Sequence, residues 1–503
     1  MSSERVCLEH NYFSFDASHL QNNSLLDTVD VGKSKKPKLS HSDNQDCNGD
    51  AIAGPSNDES TPKIFKLNID CLEEIFEYLN VKDLHSFGKT CRRMNKVAGE
   101  YYKQNYSSAD IRCEKDGIYM YEGYVKERIS GFNKFIPCIS YYGDDPNDDL
   151  GPVKYIKSHI NEFESTNHIH LEELSINKTR IGYFKKLLPQ LEIVRHRECS
   201  VDGDFYDLLL KYCKNLKEIH VQNWDVGNRR KVKLNWLLQK YPKLERFELR
   251  PSKPCRIEEL REFFVRNPNV QRFSTTARFL WKNDDIFLNS NAKLDILELE
   301  GFNNYCPSFK GKQTSENILE LLNQLHKRDF YKRLYIYVNR VNKEMSTLFT
   351  SLEGLELLCI EESFQKSYNL AQLTNLKELI MFGSKIPKYM EILANGLTKL
   401  ERLYIHSASI GDIMPFIRRS PKLNKIKFIP PYYSTGVVLN LAMLNKERAK
   451  LTGARKIIIY TRDDVFLATK WTTRNGNTNL SFIEMRRVDS IKWNHYFQTQ
   501  FFG

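Results

Sequence analysis

The apolar residues between Leu67 and Ala98 fall into two sets, and each set is spaced for one face of an amphipathic helix. The first set predicts a helix that begins near Asn68, with acidic residues early, where they complement the helix dipole. Asn80 can cap a second helix, and Asp83 three residues later completes a capping-box-like arrangement. Two short helices cannot bury this much apolar surface, and exposed apolar clusters mark protein interfaces. The two sets are Leu72, Ile75, Phe76 and Leu79, then Leu84, Phe87, Cys91, Met94 and Ala98.

Beyond residue 165 the chain repeats the pattern L-x-x-L-x-L, and amphipathic helix patterns such as "LNWLLQKYPKL" lie between the copies. This alternation, mostly in steps of about 20–30 residues, is typical of leucine-rich repeats. One unit cannot cover its own apolar face, so a stack must share a core. The sequence predicts an α/β solenoid, a leucine-rich-repeat horseshoe of about 12 irregular units. The copies begin at Leu171, Leu191, Leu216, Leu244, Val270, Leu294, Tyr331, Leu355, Leu376, Leu400, Leu423 and Ala454.

A doubly wound α/β domain also alternates helices and strands, and it is the competing interpretation. The repeat is favoured because the phrase recurs with "PKL", "KNL" or "TNL" before it. We expect five segments in the chain. They are a disordered acidic tail over 1–60 with a basic cluster at 33–38, a helical domain over 61–106, divergent first repeats over 107–166, the repeats over 167–470, and an aromatic-rich cap over 471–503.

Composition places the chain among ordinary soluble proteins, with 41% hydrophobic and 27% charged residues in a length of 503. The absence of an apolar run of 18 residues predicts no membrane span, and the first residues lack the apolar region of a secretion signal. Eleven cysteines without paired or metal-ligand spacing predict free thiols in a reducing compartment. Lys35, Lys36 and Lys38 form a K-K-x-K cluster that resembles a nuclear import signal. We therefore expect a nuclear or cytoplasmic location, or both.

The stretch from Leu67 onward resembles the F-box, whose pattern is roughly L-P-x-E-x-L-x-x-I-F-x-Y-L-x-x-x-D-L followed by a helix ending C-R-R. Asn68 replaces the usual Pro, Asp70 the usual Glu, and Met94 a frequent Trp. Losing the proline weakens the turn that seats on the adaptor. With the repeats behind it, the chain resembles the F-box/leucine-rich-repeat family. The matching residues are Leu67, Leu72, Ile75, Phe76, Tyr78, Leu79, Asp83, Leu84, Cys91, Arg92 and Arg93.

This resemblance implies a substrate receptor of SCF (Skp–cullin–F-box) ubiquitin ligases. The F-box would dock on the Skp adaptor, and through it on a cullin, while the repeats present a target protein for ubiquitination and proteasomal degradation. A standard interface buries ~800 Å² per partner, and a few large anchors dominate it. The alternative is a small helical subdomain whose apolar faces pack on each other and on the repeats, with some of these side chains directed inward. The expected adaptor-binding residues are Leu67, Leu72, Ile75, Phe76, Leu79 and Leu84.

Residues that alternate with the inward leucines are expected to line the concave face of the repeats. Arginines dominate the early and middle units, and aromatic residues the later ones; both types are enriched in interface hot spots. An acidic or phosphorylated target segment would suit the arginines, and an apolar anchor the aromatic end. An equally open interpretation is that the arginines are merely scattered surface residues. The expected target-binding residues are Arg195, Arg197, Arg246, Arg250, Arg272, Tyr335, Tyr337, Phe382 and Tyr404.

Charge leaves a second function open. The first 60 residues hold five Lys/Arg against ten Asp/Glu, so the remainder carries about +17, which could attract nucleic acid. No nucleic-acid motif accompanies this charge. The sequence also lacks P-loop, GxGxxG, GxSxG and HExxH motifs, and its histidines lack ligand spacing. We therefore expect no catalysis, cofactor or metal. A non-catalytic repeat scaffold and a nucleic-acid-binding protein without a ligase role are the alternatives.

Overall fold

A computed structural model gives the structure of most of the chain. The described residues are 63–122, 125–142, 151–176, 182–201, 211–224, 234–253, 255–302, 312–341, 343–361, 370–382, 387–434 and 436–491. The chain divides into two compact units, Met1–Thr61 and Pro62–Gly503, and every described residue lies in the second. The predicted acidic tail and its basic cluster at Lys35, Lys36 and Lys38 lie outside the described residues.

Three helices open the described chain: α1 (Ile69–Phe76), α2 (Val81–Gly88) and α3 (Arg92–Asn105). The Asn68 side chain accepts a hydrogen bond from the backbone N–H of Cys71 at 2.8 Å, and that of Asn80 accepts one from Asp83 at 2.8 Å. Both asparagines therefore act as N-caps; the sequence predicts this for Asn80, and for Asn68 it predicts only that the helix begins near it. The second apolar set was predicted to be one helix, and this is wrong, because Cys91 is extended and starts a third helix.

One sheet of seventeen strands follows in the described part of the chain. Strands β3, β2 and β1 pair antiparallel, and β1 then begins a parallel series through β4, β5, β7 and β9, continuing in chain order from β10 to β19. Two-residue strands β6 and β8 form a separate pair. The strands are β1 Asp110–Cys113, β2 Ile118–Glu122, β3 Val125–Arg128, β4 Cys138–Tyr142, β5 His168–Glu172, β6 Ser175–Ile176, β7 Ile193–Arg197, β8 Ser200–Val201, β9 Glu218–Trp224, β10 Arg246–Pro251, β11 Arg272–Thr276, β12 Leu294–Glu300, β13 Tyr331–Val338, β14 Leu355–Ile360, β15 Glu378–Met381, β16 Arg402–His406, β17 Lys425–Ile429, β18 Ile457–Thr461 and β19 Ile483–Arg487.

Helices connect most successive strands of the parallel series, and short 3-10 segments replace them in units such as the one at Leu188–Gln190. A helical first domain followed by a mostly parallel sheet with alternating helices is the α/β solenoid that the sequence predicts. The helices are α4 Gly151–His159, α5 Glu259–Arg266, α6 Ala277–Lys282, α7 Asp284–Leu288, α8 Lys312–Lys327, α9 Lys343–Thr350, α10 Pro387–Gly396, α11 Ile410–Arg419, α12 Leu441–Ala449 and α13 Asp463–Thr472.

The main core lies between the sheet and these helices, where Phe247, Leu297 and Leu403 have no exposed area. Buried polar side chains satisfy backbone groups between units. Asn267 accepts a hydrogen bond from the N–H of Tyr241 and donates to the Phe263 carbonyl. The guanidinium of Arg448, fully buried, donates to five backbone carbonyls, from Ile417, Ser420, Pro421, Leu423 and Arg455, at 2.9–3.0 Å.

The predicted strands lie where the repeat pattern places them, except in the first unit. There the pattern begins at Leu171, but the strand that pairs with β7 is His168–Glu172. The expectation that the strand of this unit begins at Leu171 is therefore wrong, and His168, His170 and Glu172 occupy the alternating positions of the strand that faces away from the core. The parallel sheet also crosses both predicted limits of the repeats, since β4 pairs with β5 and β19 pairs with β18.

The described helices include none that is long and apolar enough to cross a membrane.

Candidate functional site

Three of the expected adaptor-binding side chains lie inside the helical domain. Leu72, Phe76 and Leu84 have no exposed area, and the Phe76 ring packs edge-on against Phe87 and Tyr101 with centroids 5.3 and 5.5 Å apart. A side chain without exposed area cannot contact a partner directly. Their assignment to the adaptor surface is corrected: they form the core that shapes the helices, because α3 supplies the apolar partner that two helices would lack.

The other expected residues, Leu67, Ile75 and Leu79, are half-buried at the edge of this core. Ile69, at the first position of α1, is 54% exposed and was missed by the sequence analysis. The sequence could have indicated Ile69, because it is an apolar residue in the first turn of the helix that does not belong to the spaced apolar set. Arg93, one of the residues shared with the F-box pattern, donates to the Leu67 carbonyl at 2.5 Å and fixes the approach to α1.

The last repeat contacts the far end of α1. Arg487 at the end of β19 donates to the carbonyls of Phe76, Glu77 and Leu79 at 3.4, 3.0 and 2.8 Å. The ammonium of Lys470 in α13 contacts the Glu77 carboxylate. These contacts join residues that are about 400 positions apart in the chain, and the side chains of Arg487 and Lys470 are both 2% exposed.

Segments next to the strands at the two ends of the sheet also meet at this point. The N–H of Asp463 donates to the Glu122 carboxylate at 2.8 Å, and the N–H of Ser108 donates to the Asp489 carbonyl at 3.1 Å. Burial raises the pKa of Glu122 to about 7, against the opposing effect of Arg462 and Arg487. The segments after β18 and β19 therefore contact β2 and the segment before β1, as well as the end of α1.

The expected target-binding residues lie on one face of the sheet, opposite the helices, which we call the inner face. In β10, for example, Phe247 and Leu249 belong to the core, so Arg246, Glu248 and Arg250 lie on the inner face. Strand register places Glu248 beside Ser274 and Ser274 beside Glu298. Among the predicted residues of this face, Arg195, Arg197 and Arg272 are half-buried; Arg246, Arg250, Tyr335, Tyr337, Phe382 and Tyr404 are buried.

The five arginines of the expected target-binding set, which we call the arginine band, alternate with glutamates on the inner face. Arg246 donates to Glu298 at 3.0 Å, and Arg272 contacts the other oxygen of this carboxylate. Arg250 contacts Glu300. The band is thus a network of buried ion pairs rather than an uncompensated positive surface. Glutamates occupy the same alternating positions as the arginines, so this pairing could have been anticipated from the repeat pattern.

The His220 side chain lies between two other glutamates of the inner face, Glu248 and Glu218. The ring nitrogens of His220 lie 2.7 Å from Glu248 and 2.9 Å from Glu218, both within hydrogen-bonding distance. Burial alone raises a carboxyl pKa, but His220 and the neighbouring Arg246 and Arg250 hold the pKa of Glu218 and Glu248 well below the usual value. His170, buried nearby in β5, has its pKa lowered to about 3 by burial and by Arg195.

Aromatic residues of the later units meet in a second apolar cluster on the inner face. The Phe382 ring packs edge-on against Tyr404 with centroids 5.3 Å apart, and the Lys427 ammonium lies 4.5 Å from the Tyr404 ring centre. The face therefore changes along the sheet from paired charges to packed rings. The cluster comprises Tyr335, Tyr337, Leu357, Cys359, Ile380, Phe382, Tyr404, Ile429, Tyr460, Val488 and Ile491.

Comparison with protein families matches residues 64–101 to the F-box domain. The match covers α1 and α2 and reaches into α3, the elements whose core and caps are described above. A search of curated proteins found no match for the chain. The chain thus carries an F-box domain in front of an α/β solenoid, and an F-box domain implies binding of a Skp adaptor in the role of a ligase receptor subunit.

Proposed function

We propose that this chain is the target-binding receptor of an SCF ubiquitin ligase. The F-box match over residues 64–101 carries the proposal, because this domain is the adaptor-binding module of such receptors. The repeats behind it offer an extended sheet face to a target protein. The chain itself would supply no catalytic group; the conjugating enzyme, brought by the cullin, would carry out ubiquitin transfer.

The adaptor-binding surface would consist of side chains that α1 leaves accessible. Ile69 is the most exposed of them, and Leu67, Ile75 and Leu79 are partly accessible beside it. Leu72, Phe76 and Leu84 would support this surface from the core. Ile69 lies within the residues matched to the F-box domain, and its exposed apolar side chain suits an apolar contact with a partner.

Co-purification with a Skp adaptor tests the proposal. In the full chain, Ile69→Glu should weaken adaptor binding by about tenfold or more, because it places a charge in an apolar contact. Val265→Glu is the matched control, since Val265 is 70% exposed on α5 of the solenoid and should bind as the natural chain does. If the natural chain does not bind the adaptor, the proposal is contradicted. If the Ile69→Glu chain binds as tightly as the natural chain, Ile69 is not part of the adaptor-binding surface.

For the target, we favour a protein with an acidic or phosphorylated segment. Arg195 and Arg197 are half-buried on the inner face and therefore partly accessible, and Arg197 contacts Glu172 at 2.6 Å. Arg246, Arg250 and Arg272 are paired with other glutamates. An incoming acidic group would have to displace these carboxylates. The aromatic cluster beyond them suits an apolar anchor of the same target. Proteins that accumulate in cells carrying Ile69→Glu are the candidates. Their binding should fall with Arg195→Gln/Arg197→Gln, and unchanged binding would contradict the acidic-target part.

A nuclear location is part of the same proposal and rests on Lys35, Lys36 and Lys38. Replacing the three lysines with glutamine should move a fluorescently tagged chain toward the cytoplasm. Unchanged nuclear accumulation would remove this part without affecting the adaptor experiment.

A further inference from the structure

The end of α1 tightens into a 3-10-type turn, in which the N–H groups of Tyr78 and Leu79 donate to the carbonyls of Ile75 and Phe76 at 3.0 and 3.1 Å. The last carbonyls of a helix have no intrahelical partner, and a following glycine often allows the backbone to satisfy them. Here the chain continues as Glu77, Tyr78, Leu79 and Asn80, without glycine. In addition to this turn, a single guanidinium nitrogen of Arg487 donates hydrogen bonds to the carbonyls of Phe76, Glu77 and Leu79. A residue of the last strand thus completes the first helix.

The position of this guanidinium is fixed by its other contacts. Its second terminal nitrogen donates to the Tyr106 hydroxyl at 2.9 Å and contacts the Asp463 carboxylate. The Phe466 ring lies beneath it, 4.7 Å from the guanidinium carbon. A buried charge held by a carboxylate and aromatic groups keeps one orientation, because any other orientation leaves it unpaired away from water.

A second cation of the last repeat holds the same end of α1. Lys470 contacts Glu77, lies 3.8 Å from the Glu74 carboxylate, and stands 4.5 Å from the centre of the Tyr78 ring. The ring of the following residue, Trp471, packs edge-on against Tyr78 at 5.0 Å. Together, Arg487 and Lys470 form what we call the α1 clasp.

We propose that Arg487 is a positioning residue for the adaptor surface, so that the last repeat forms part of the adaptor-binding unit. Helix α1 has only eight residues, and a helix of this length is not stable without tertiary contacts. Holding its C-terminal end fixes the direction of the axis on which Ile69 and Ile75 stand. The link to adaptor binding rests on the proposed function, whereas the positioning of α1 does not.

Hydrogen exchange of the full chain tests this proposal, with Arg487→Met compared against Arg448→Met. Arg448 is also a buried arginine that donates to backbone carbonyls, but its carbonyls belong to the solenoid. In Arg487→Met, the amides of Tyr78 and Leu79 should exchange about tenfold faster or more, because the turn they belong to loses its clasp. In Arg448→Met these amides should keep the natural rate. Faster exchange at residues 77–80 in both variants, or in neither, overturns the proposal.

Adaptor affinity is the second measurement. Arg487→Met should bind the adaptor about tenfold more weakly, and Arg487→Lys, which keeps one donor group, should recover part of this loss. Arg486→Met, at the exposed neighbouring position, should bind as the natural chain does. Full affinity in a folded Arg487→Met chain overturns the link to adaptor binding. If Arg487→Met does not fold, Lys470→Gln is used in its place. We expect smaller changes in amide exchange and in adaptor affinity for this variant. If neither quantity changes, the α1 clasp is contradicted. A natural chain without adaptor affinity contradicts the proposed function, while the exchange experiment still decides the role of Arg487.

Discussion

At the scale of single residues, the departures from the F-box pattern acquire a physical explanation. Asn68 stands where the pattern has proline, and its side chain caps α1 by accepting the N–H of Cys71 at 2.8 Å. Proline would leave that donor without this partner. The sequence interpretation that the missing proline weakens the turn is therefore incomplete, because the asparagine supplies a hydrogen bond that proline lacks.

Removing this cap should cost stability locally. We expect Asn68→Ala to lower the free energy of opening α1 by about 1 kcal/mol, and Asn68→Asp to retain most of it because a carboxylate can also cap. Hydrogen exchange at Cys71 and Leu72 measures the effect. Equal exchange in the alanine and aspartate variants would show that the capping bond contributes nothing.

His85 in α2 predicts a pH dependence that can be assigned to one residue. Its Nε2 accepts a hydrogen bond from the N–H of Gly131 at 3.1 Å, which requires a neutral ring. Burial, with a smaller effect of Lys89, lowers its pKa to about 4 from 6.5. Between these two values the unfolded chain binds more protons than the folded one, so stability falls as the pH decreases through this window.

Between about pH 6.5 and pH 4, His85 should make the free energy of unfolding fall by up to about 1.4 kcal/mol per pH unit, which corresponds to the uptake of one proton on unfolding. Burial also lowers the pKa of His170 and His196 to about 3, so these two residues add to the same pH dependence. The measurement is therefore the difference between the natural chain and His85→Gln, whose amide oxygen can accept the Gly131 N–H. Denaturant unfolding at several pH values should give a shallower slope in the variant, and identical slopes would contradict the assignment.

At the scale of elements, the repeat pattern predicts which positions are buried more reliably than which residues form a strand. In the first unit Leu171 and Leu174 are both buried, as the pattern requires, yet the strand ends at Glu172. Residues Ser175 and Ile176 pair instead in the small sheet with β8. The leucine spacing alone cannot distinguish the two arrangements, because both bury the same side chains.

The ladder of charges on the inner face gives the element-scale prediction. Glu298 is 1% exposed and accepts Arg246 and Arg272, which lie on two different strands. Glu298→Gln should destabilise the solenoid by about 3–5 kcal/mol, because two arginines keep their charge beside a neutral amide. Asp295→Asn is the control, since the Asp295 side chain is 40% exposed where it contacts Arg333, and the substitution should cost less than about 1 kcal/mol. Urea unfolding measures the loss of stability in both variants. Equal losses of unfolding free energy would contradict a buried network of ion pairs around Glu298.

At the scale of the whole molecule, the sequence predicts the two parts of the described chain but not their contact. The F-box pattern and the repeats are local signals, each read within a few tens of residues. The contacts of Arg487 with Phe76, Glu77 and Leu79 join the last strand to the first helix, and "MRRVDS" around Arg487 resembles no motif. The relative position of these residues depends on the curvature and twist of every unit between them. The spacing of residues within one unit does not predict it.

The pair formed by Glu77 and Lys470 allows this contact between distant residues to be measured as a coupling energy. Glu77→Lys and Lys470→Glu each place like charges together at the end of α1, while the double variant restores an opposite pair. We expect a coupling of about 1–3 kcal/mol in the free energy of opening α1, obtained from exchange at Tyr78 and Leu79 in the four chains. Recovery should be incomplete, because the cation that Lys470 places over the Tyr78 ring is lost in the double variant. Effects that add within about 0.5 kcal/mol would mean that the two side chains act independently, and that the Glu77–Lys470 pair does not hold the end of α1.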